Sequence, residues 1–230
     1  MRSFRLSLIA ATALAGATFV GSAWAADNIS TVTQTGNGND AYVDQVGTGN
    51  GSDVSQTGND NLADVDQLGL SDNAQTTAYG NGNYQRITQD GVGYGNDATN
   101  YASGNGNNQQ IDQISRDNVA MNSATGDGNV QSIDQQGRSN YADNVINGGN
   151  GNRQTIVQTG NHNDAENTVS WGGYSNTQHI DQKGNNGIAS NTVGYGGHNI
   201  QSIYQGGTGN TATQIAYGNG NLAVTTQNYP

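Results

Sequence analysis

Residues 34–69 read QTGNGNDAYVDQVGTGNGSDVSQTGNDNLADVDQLG. Within them Gln34, Gln45, Gln56 and Gln67 recur every 11 residues, each followed two positions later by Gly36, Gly47, Gly58 or Gly69. A disordered low-complexity tract has no reason to keep such phase. From there the glutamine continues as Gln89, Gln113, Gln135, Gln158, Gln182, Gln205 and Gln227, at intervals of 22 to 24, with a second half-unit interleaved. One arm of the repeat reads Gln-x-Ile-x-Gln, with Ile111, Ile133, Ile156, Ile180 and Ile203 at its centre; the other reads Ala-x-Asn-x-small or aliphatic, centred on Asn100, Asn122, Asn144, Asn167 and Asn191. Both alternate with the period of two that belongs to a strand.

Segments such as Gly80-Asn81-Gly82-Asn83 and Gly137-Arg138-Ser139-Asn140 separate the arms. Their residue types tolerate the positive φ that a tight reversal needs. Each unit is therefore strand, turn, strand, turn. A strand pair this thin cannot bury its inward face alone, so successive units must stack, each arm pairing in parallel with the same arm of the next. The expected fold is all-β: a β-solenoid of about nine two-strand coils and, at ~4.8 Å per coil, a rod of about 40 Å. Insertions of one or two residues, at Gly91 to Asn96 and at Ser170 to Tyr174, are expected in turns.

Stacking also resolves the polar interior. A Gln or Asn at the same place in every coil can donate to the amide on one side and accept from the amide on the other. The expected inward ladders are Gln45, Gln67, Gln89, Gln113, Gln135, Gln158, Gln182, Gln205 and Gln227 on one arm, the five isoleucines beside them, and the five asparagines on the other arm.

The chain has 230 residues, of which 32% are hydrophobic and 11% charged, with 35 glycines and a formal charge of −11. An average domain is about 45–50% apolar and about 25% charged, so neither a normal core nor a normal charged surface is present. Seven Lys and Arg against 18 Asp and Glu do not build a phosphate-neutralising face, which excludes nucleic acid as a partner. With no cysteine, disulfide and thiolate–metal frameworks are excluded too. Residues 1–25 differ from the rest: Arg2 and Arg5, an apolar run from Leu6 to Val20, and Ala23-Trp24-Ala25 read as a secretory signal peptide with cleavage before Ala26. Residues 26–230 then form a single repeat domain, with no transmembrane segment expected after cleavage.

The spacing Gln-x-Gly-x-x-Asn-x-Ala-x-x-x-Gln, carried by Gln56-Gly58-Asn61-Ala63-Gln67 and, as far as its Ala, by Gln135-Gly137-Asn140-Ala142, resembles the curlin repeat. The resemblance extends from about Ile29 to Gln227. One departure is that Ala78, Ala102, Ala124 and Val169 stand where that family's repeat prefers a second Gln. The resemblance implies a curli-type subunit: a protein exported across the outer membrane of a Gram-negative bacterium that forms extracellular amyloid fibres for adhesion and biofilm matrix. Its implied partners are itself, other curli-type subunits and an outer-membrane export apparatus.

Nothing in the sequence points to catalysis. His162, His179 and His198 form no His-x-x-x-His pair, no Gly-x-Ser-x-Gly elbow occurs, and the glycine runs 47–51 and 91–95 lack the Gly-Lys-Ser/Thr end of a phosphate loop. No enzyme activity, cofactor or metal is expected. Asp44, Asp66, Asp112, Asp134 and Asp181 precede the ladder Gln and face outward. Asp112, Asp134 and Asp181 are read as solvated gatekeepers against premature association in preference to a calcium site, because the Gly-Gly-x-Gly-x-Asp nonapeptide is absent. Tyr79, Tyr174, Tyr195, Tyr217 and Trp171 fall at turns, where they pack on the turn or meet a surface. Three function classes stay open: a fibre subunit, a monomeric secreted solenoid that binds a ligand or surface such as ice or calcium, and a disordered matrix protein. The phase of the ladders opposes disorder, and the absence of a readable cap on either end favours the fibre subunit.

Overall fold

A computed structural model describes residues 19–24 and 27–227, apart from the side chains of residues 19–24 and 92–94. The strands in chain order are β1 (Phe19–Trp24), β2 (Ile29–Thr35), β3 (Asp40–Thr48), β4 (Gly51–Thr57), β5 (Leu62–Leu70), β6 (Asn73–Tyr79), β7 (Tyr84–Tyr94), β8 (Asp97–Ser103), β9 (Asn108–Arg116) and β10 (Val119–Thr125). They continue as β11 (Val130–Arg138), β12 (Tyr141–Ile146), β13 (Arg153–Asn161), β14 (Asp164–Val169), β15 (Thr177–Asn185), β16 (Ile188–Tyr195), β17 (Ile200–Thr208), β18 (Thr211–Tyr217) and β19 (Leu222–Gln227). Odd strands form one ten-stranded sheet and even strands a nine-stranded sheet facing it, each in strict sequence order. Every pairing is parallel and, apart from one shift near the end of β5 with β7 and one near the end of β16 with β18, in register with the repeat, as in Ile133 with Ile111 and Ile156, or Asn144 with Asn122 and Asn167. The protein is thus a β-solenoid of about nine coils, as its sequence implies.

The alternation decides which side chains face inward. In β11, Gln131, Ile133 and Gln135 are buried while Ser132 and Asp134 point out; in β12, Ala142, Asn144 and Ile146 are buried. Isoleucines 87 to 203 of the odd sheet and alanines 74 to 212 of the even sheet form one continuous apolar seam. The two sheets also exchange volume across this seam. In the first coils a long residue ends the even strand and a short one begins the odd strand, as Gln34 with Ala41 and Gln56 with Ala63. From β6 onward the order reverses: Ala78 faces Gln85 and Ala102 faces Gln109, so the core keeps one Gln per pair. The alanines at 78, 102 and 124 that depart from the family pattern are therefore compensated from the opposite sheet. Val169 belongs to a second cluster with Ile146, Val193 and Ala216, where an aliphatic side chain fills the same place.

The insertion at Gly91 to Asn96 lies elsewhere than expected. It extends the end of β7, where Leu70 pairs with Tyr94 across a register shift. It is a bulge in the strand, because the extra residues can loop out there without disturbing the inward rows. The insertion at Ser170 to Tyr174 does form a turn, with Trp171 at φ 55° and 86% exposed.

Turns repeat as faithfully as strands, and glycine is required at one place in them. At Gly160, φ is 120° and a Cβ would lie 1.8 Å from the Gly184 carbonyl oxygen of the next coil. At Gly106, φ is 64° and a Cβ would meet nothing within 4 Å. Gly106→Ala is expected to cost only the left-handed backbone penalty of about 1 kcal/mol, whereas Gly160→Ala forces coils apart and should cost at least about 3 kcal/mol. Urea unfolding of the two variants checks this, and equal midpoints would refute the role given to the glycine column.

Candidate assembly interface

The features that could serve association are the amide rows that run the length of the rod and stop at its ends. On the odd strands, Gln45 Nε2 donates to Gln67 Oε1 at 2.8 Å, and the row continues through Gln89, Gln113, Gln135, Gln158, Gln182 and Gln205 to Gln227, with every rung at 2.8–3.0 Å. The second hydrogen of each amide goes to a backbone carbonyl of the even sheet, as from Gln135 to Val119 at 3.0 Å. A parallel row links Gln85, Gln109, Gln131, Gln154, Gln178 and Gln201 at 2.7–3.0 Å. In both rows the N–H points toward the C-terminal end.

The asparagine row on the even strands runs the other way: Asn122 Nδ2 donates back to Asn100 Oδ1, Asn144 to Asn122, Asn167 to Asn144 and Asn191 to Asn167, at 3.0–3.1 Å. Each also donates to a carbonyl of the facing sheet, such as Asn144 to Ser132. The row ends at Gln214, whose longer side chain turns to Thr225 Oγ1 and the Ser202 carbonyl, leaving Asn191 Oδ1 buried without a partner.

Two further asparagine rows were not recognised from the sequence as ladders, since their residues read as turn formers. One joins Asn39, Asn61, Asn83, Asn107, Asn129, Asn152, Asn176, Asn199 and Asn221, at 2.8–3.2 Å between side chains. The other, at the opposite corner, includes Asn96, Asn118 and Asn140. All but the terminal Asn221 are buried, and each of their side-chain oxygens also accepts the backbone N–H of the next coil, as Asn61 Oδ1 accepts from Asn83 N at 3.0 Å. The signal that could have found them is the spacing of the last Asn in every Gly-x-x-Asn, which keeps the phase of the ladder glutamines.

Of the gatekeeper aspartates, Asp112 and Asp134 are register partners in adjacent coils, as are Asp44 and Asp66. Burial, and then the charge of Asp112, raises the pKa of Asp134; burial, then Asp44 and Asp64, raises that of Asp66. Asp181 differs. Val157 separates it from Asp134, and Lys183 Nζ lies 3.0 Å from its carboxylate. A second acidic group, on the even sheet, was not singled out in the sequence: Asp143 pairs with Glu166, and burial, reinforced by Glu166, lifts the Asp143 carboxyl to about 6. Among the described residues no three His, Asp or Glu converge to hold a metal ion. His162 and His198 are exposed at turns; His179 is half-buried, packs on Tyr204 at 5.5 Å and has its pKa lowered by that burial. Tyr79 meets Tyr101 edge-on and Tyr195 lies tilted against Tyr217, so these rings pack along the rod.

Gln135 sits mid-row, accepting from Gln113 and donating to Gln158. Gln135→Ala leaves a buried donor and a buried acceptor unpaired and should cost about 2–5 kcal/mol, comparable with Ile133→Ala in the adjacent apolar row. Urea melts of both variants measure it; a loss under about 1 kcal/mol for Gln135→Ala would show the row to be dispensable.

Comparison with known proteins gives a family match to one part of the chain. The family model of the curlin associated repeat matches residues 26–58. No curated protein matches this chain. The crystal structure of the polySia specific acetyltransferase NeuO is similar over 88% of this chain and 80% of that chain, at 11% identity and a TM-score of 0.22, a likeness too low to carry any argument. The segment matched by the family model contains β2 to β4 up to Gly58, and the coil built there is the coil repeated to Gln227. Over residues 26–58 the chain is similar to the curlin associated repeat.

Proposed function

We propose that this chain is the structural subunit of an extracellular curli-type amyloid fibre, exported from a Gram-negative cell, serving adhesion and biofilm matrix and acting without catalysis. The observation that carries the reading is the state of the two ends. At the C-terminal end the outer edges of β18 and β19 pair with nothing among the described residues, and Asn210 Oδ1 is buried without a partner. At the N-terminal end β2 has the same open edge, and Gln34 Oε1 is buried without a partner. Open parallel edges template further strands.

Opposed rows give the stacking a direction. Gln227 at the last coil offers Nε2 outward where Gln45 at the first offers Oε1, while Asn221 and Asn210 offer Oδ1 where Asn39 and Asn28 offer N–H groups. Placing β18 and β19 of one copy on β2 and β3 of the next continues every one of these rows and sets Ala223 above Ala41. Tail-on-tail contact would set donor against donor. In the described chain β1 covers the outer edge of β3, from Phe19 on Ala41 to Trp24 on Val46. Cleavage before Ala26 would remove β1 and free that edge; residues 1–18, 25 and 26 lie outside the described structure. The partner is a second copy, with other curli-type subunits and an outer-membrane export apparatus as the further partners this reading calls for.

Purified chain beginning at Ala26 is expected to polymerise after a lag that preformed fibres shorten, with a meridional spacing of about 4.8 Å. A β-rich monomer that stays soluble at high concentration and ignores seeds would overturn the reading and favour a monomeric binder. Asp112→Asn with Asp134→Asn should shorten the lag at neutral pH, as should added salt for the parent chain, since these carboxylates repel at coil spacing. Asp181→Asn should change it less, because Lys183 already offsets that charge. Lag times followed by dye fluorescence check the order, and no change in the double variant would remove these aspartates as gatekeepers.

A further inference from the structure

The second corner row carries one carboxyl among its amides: Asn50, Asp72, Asn96, Asn118 and Asn140 occupy it in successive coils. Each amide here donates twice. Asn118 Nδ2 reaches Asn96 Oδ1 behind it at 3.3 Å and the Gly137 carbonyl ahead at 2.9 Å, and Asn140 reaches Asn118 at 3.2 Å and Gly160 at 2.9 Å. Asp72 keeps the same place and is 1% exposed. Its N–H donates to Asn50 Oδ1 at 3.0 Å, and its Oδ1 accepts both the backbone and side-chain N–H of Asn96, at 3.0 and 3.1 Å.

Its Oδ2 stands where the other members carry an NH₂ group, and it is buried without a hydrogen-bond partner. The Gly91 carbonyl oxygen, an acceptor, lies beside that atom. A Cβ built on Gly91 would lie 3.0 Å from Asn96 Nδ2 and 2.3 Å from the Ser115 carbonyl oxygen, two atoms joined by a hydrogen bond of 2.9 Å. One coil earlier, a Cβ built on Gly69 would lie 2.5 Å from Asp72 Oδ2 and 2.8 Å from the Gly91 carbonyl oxygen. Where Asn96 sets donor against acceptor, Asp72 sets oxygen against oxygen. A carboxylate has no proton to offer this carbonyl, whereas a neutral carboxylic acid has one.

We infer that Asp72 is a proton-binding site of the folded coil: the side chain is completed as the neutral acid, with Oδ2–H donating to the Gly91 carbonyl and the proton taken from solvent as the coil closes. Its surroundings agree. Burial is the first cause raising the Asp72 pKa, and Asp90 of β7 adds to it, while the two N–H groups of Asn96 act in the other direction. Asn50 and Asn96, above and below, are uncharged, and the ion pairs of Arg138 with Asp117 and of Lys183 with Asp181 do not involve Asp72. The inference concerns the coil itself and does not rest on fibre formation.

The sign follows from linkage. An acid whose pKa is raised on folding favours the folded state at low pH, and this advantage is lost as pH rises from the unfolded value of 3.8 to the folded one. Asp72→Asn supplies the missing NH₂ without changing shape, so it folds and becomes the reference. Freshly prepared monomer of parent and variant, both carrying Asp143→Asn to remove the carboxyl lifted to about 6 and sharing the raised Asp66, Asp134 and Asp164, is unfolded in urea from about pH 4 to about pH 8. Across that window the folding constant of Asp72→Asn relative to its parent should grow by about tenfold per pH unit until the folded pKa is passed. Infrared spectra near pH 6 should show a neutral-carboxyl stretch in the Asp143→Asn chain that Asp72→Asn abolishes. A ratio that stays constant with pH, or the absence of that band, overturns the inference.

Discussion

The hydrogen bond between two side-chain amides in successive coils is the interaction on which the structure depends. An amide is donor and acceptor at once, so a glutamine is satisfied by another glutamine at the same place one coil away, and the solution holds for any number of coils. Gln131, Gln135 and Asn144 are fully buried in one coil without an unpaired group on any of them. No hydroxyl or carboxylate does this as well: Thr76 Oγ1 and Asp72 Oδ2 are both left without partners inside the same rows. The requirement explains a composition with few hydrophobic residues, because the polar rows take over volume that a leucine core fills elsewhere.

That interaction imposes the remaining constraints. Amides pair at about the strand spacing only if coils stay in register, which demands turns of one shape. The glycines at positions such as 58, 80 and 160 approach the carbonyl of the next coil so closely that no side chain fits between. The buried corner asparagines close each turn by accepting the next coil's N–H. Insertions fall where no row passes, as in the bulge that ends β7, at Gly194 near the end of β16 and in the exposed turn around Trp171.

Period and phase made the fold legible. Ile111 to Ile203 and Asn100 to Asn191 could be assigned inward positions because strand alternation leaves one choice of face, and the structure places them there. Corners were less legible because Asn serves equally as an exposed turn former and as a buried ladder residue, and nothing local to Asn83 or Asn140 separates the two uses. Exchange of Gln and Ala between the sheets at β6 and β7 was hidden for another reason: it is a relation across the core, between Ala78 and Gln85, while repeat alignment compares positions along the axis. The clustering of Asp143 with Glu166 depends on which outward residues meet in adjacent coils, whereas Asp181 and Lys183 meet two residues apart along one strand. Asp72 looked like any turn aspartate, and only the Gly91 carbonyl beside it reveals an acceptor facing an acceptor.

The buried glutamine rows direct their N–H groups toward one end of the rod and the buried asparagine rows direct theirs toward the other. Aligned dipoles add, as they do in an α-helix, where the peptide units sum to charges of about half an electron at the ends. Rows that run in opposite senses cancel instead. A rod built this way gathers little dipole as it lengthens, so the hundredth coil meets the same axial field as the tenth. Its electrostatics are set locally, by the aspartates on its faces, and its length is free of the self-limiting field that a single sense of amide alignment would create.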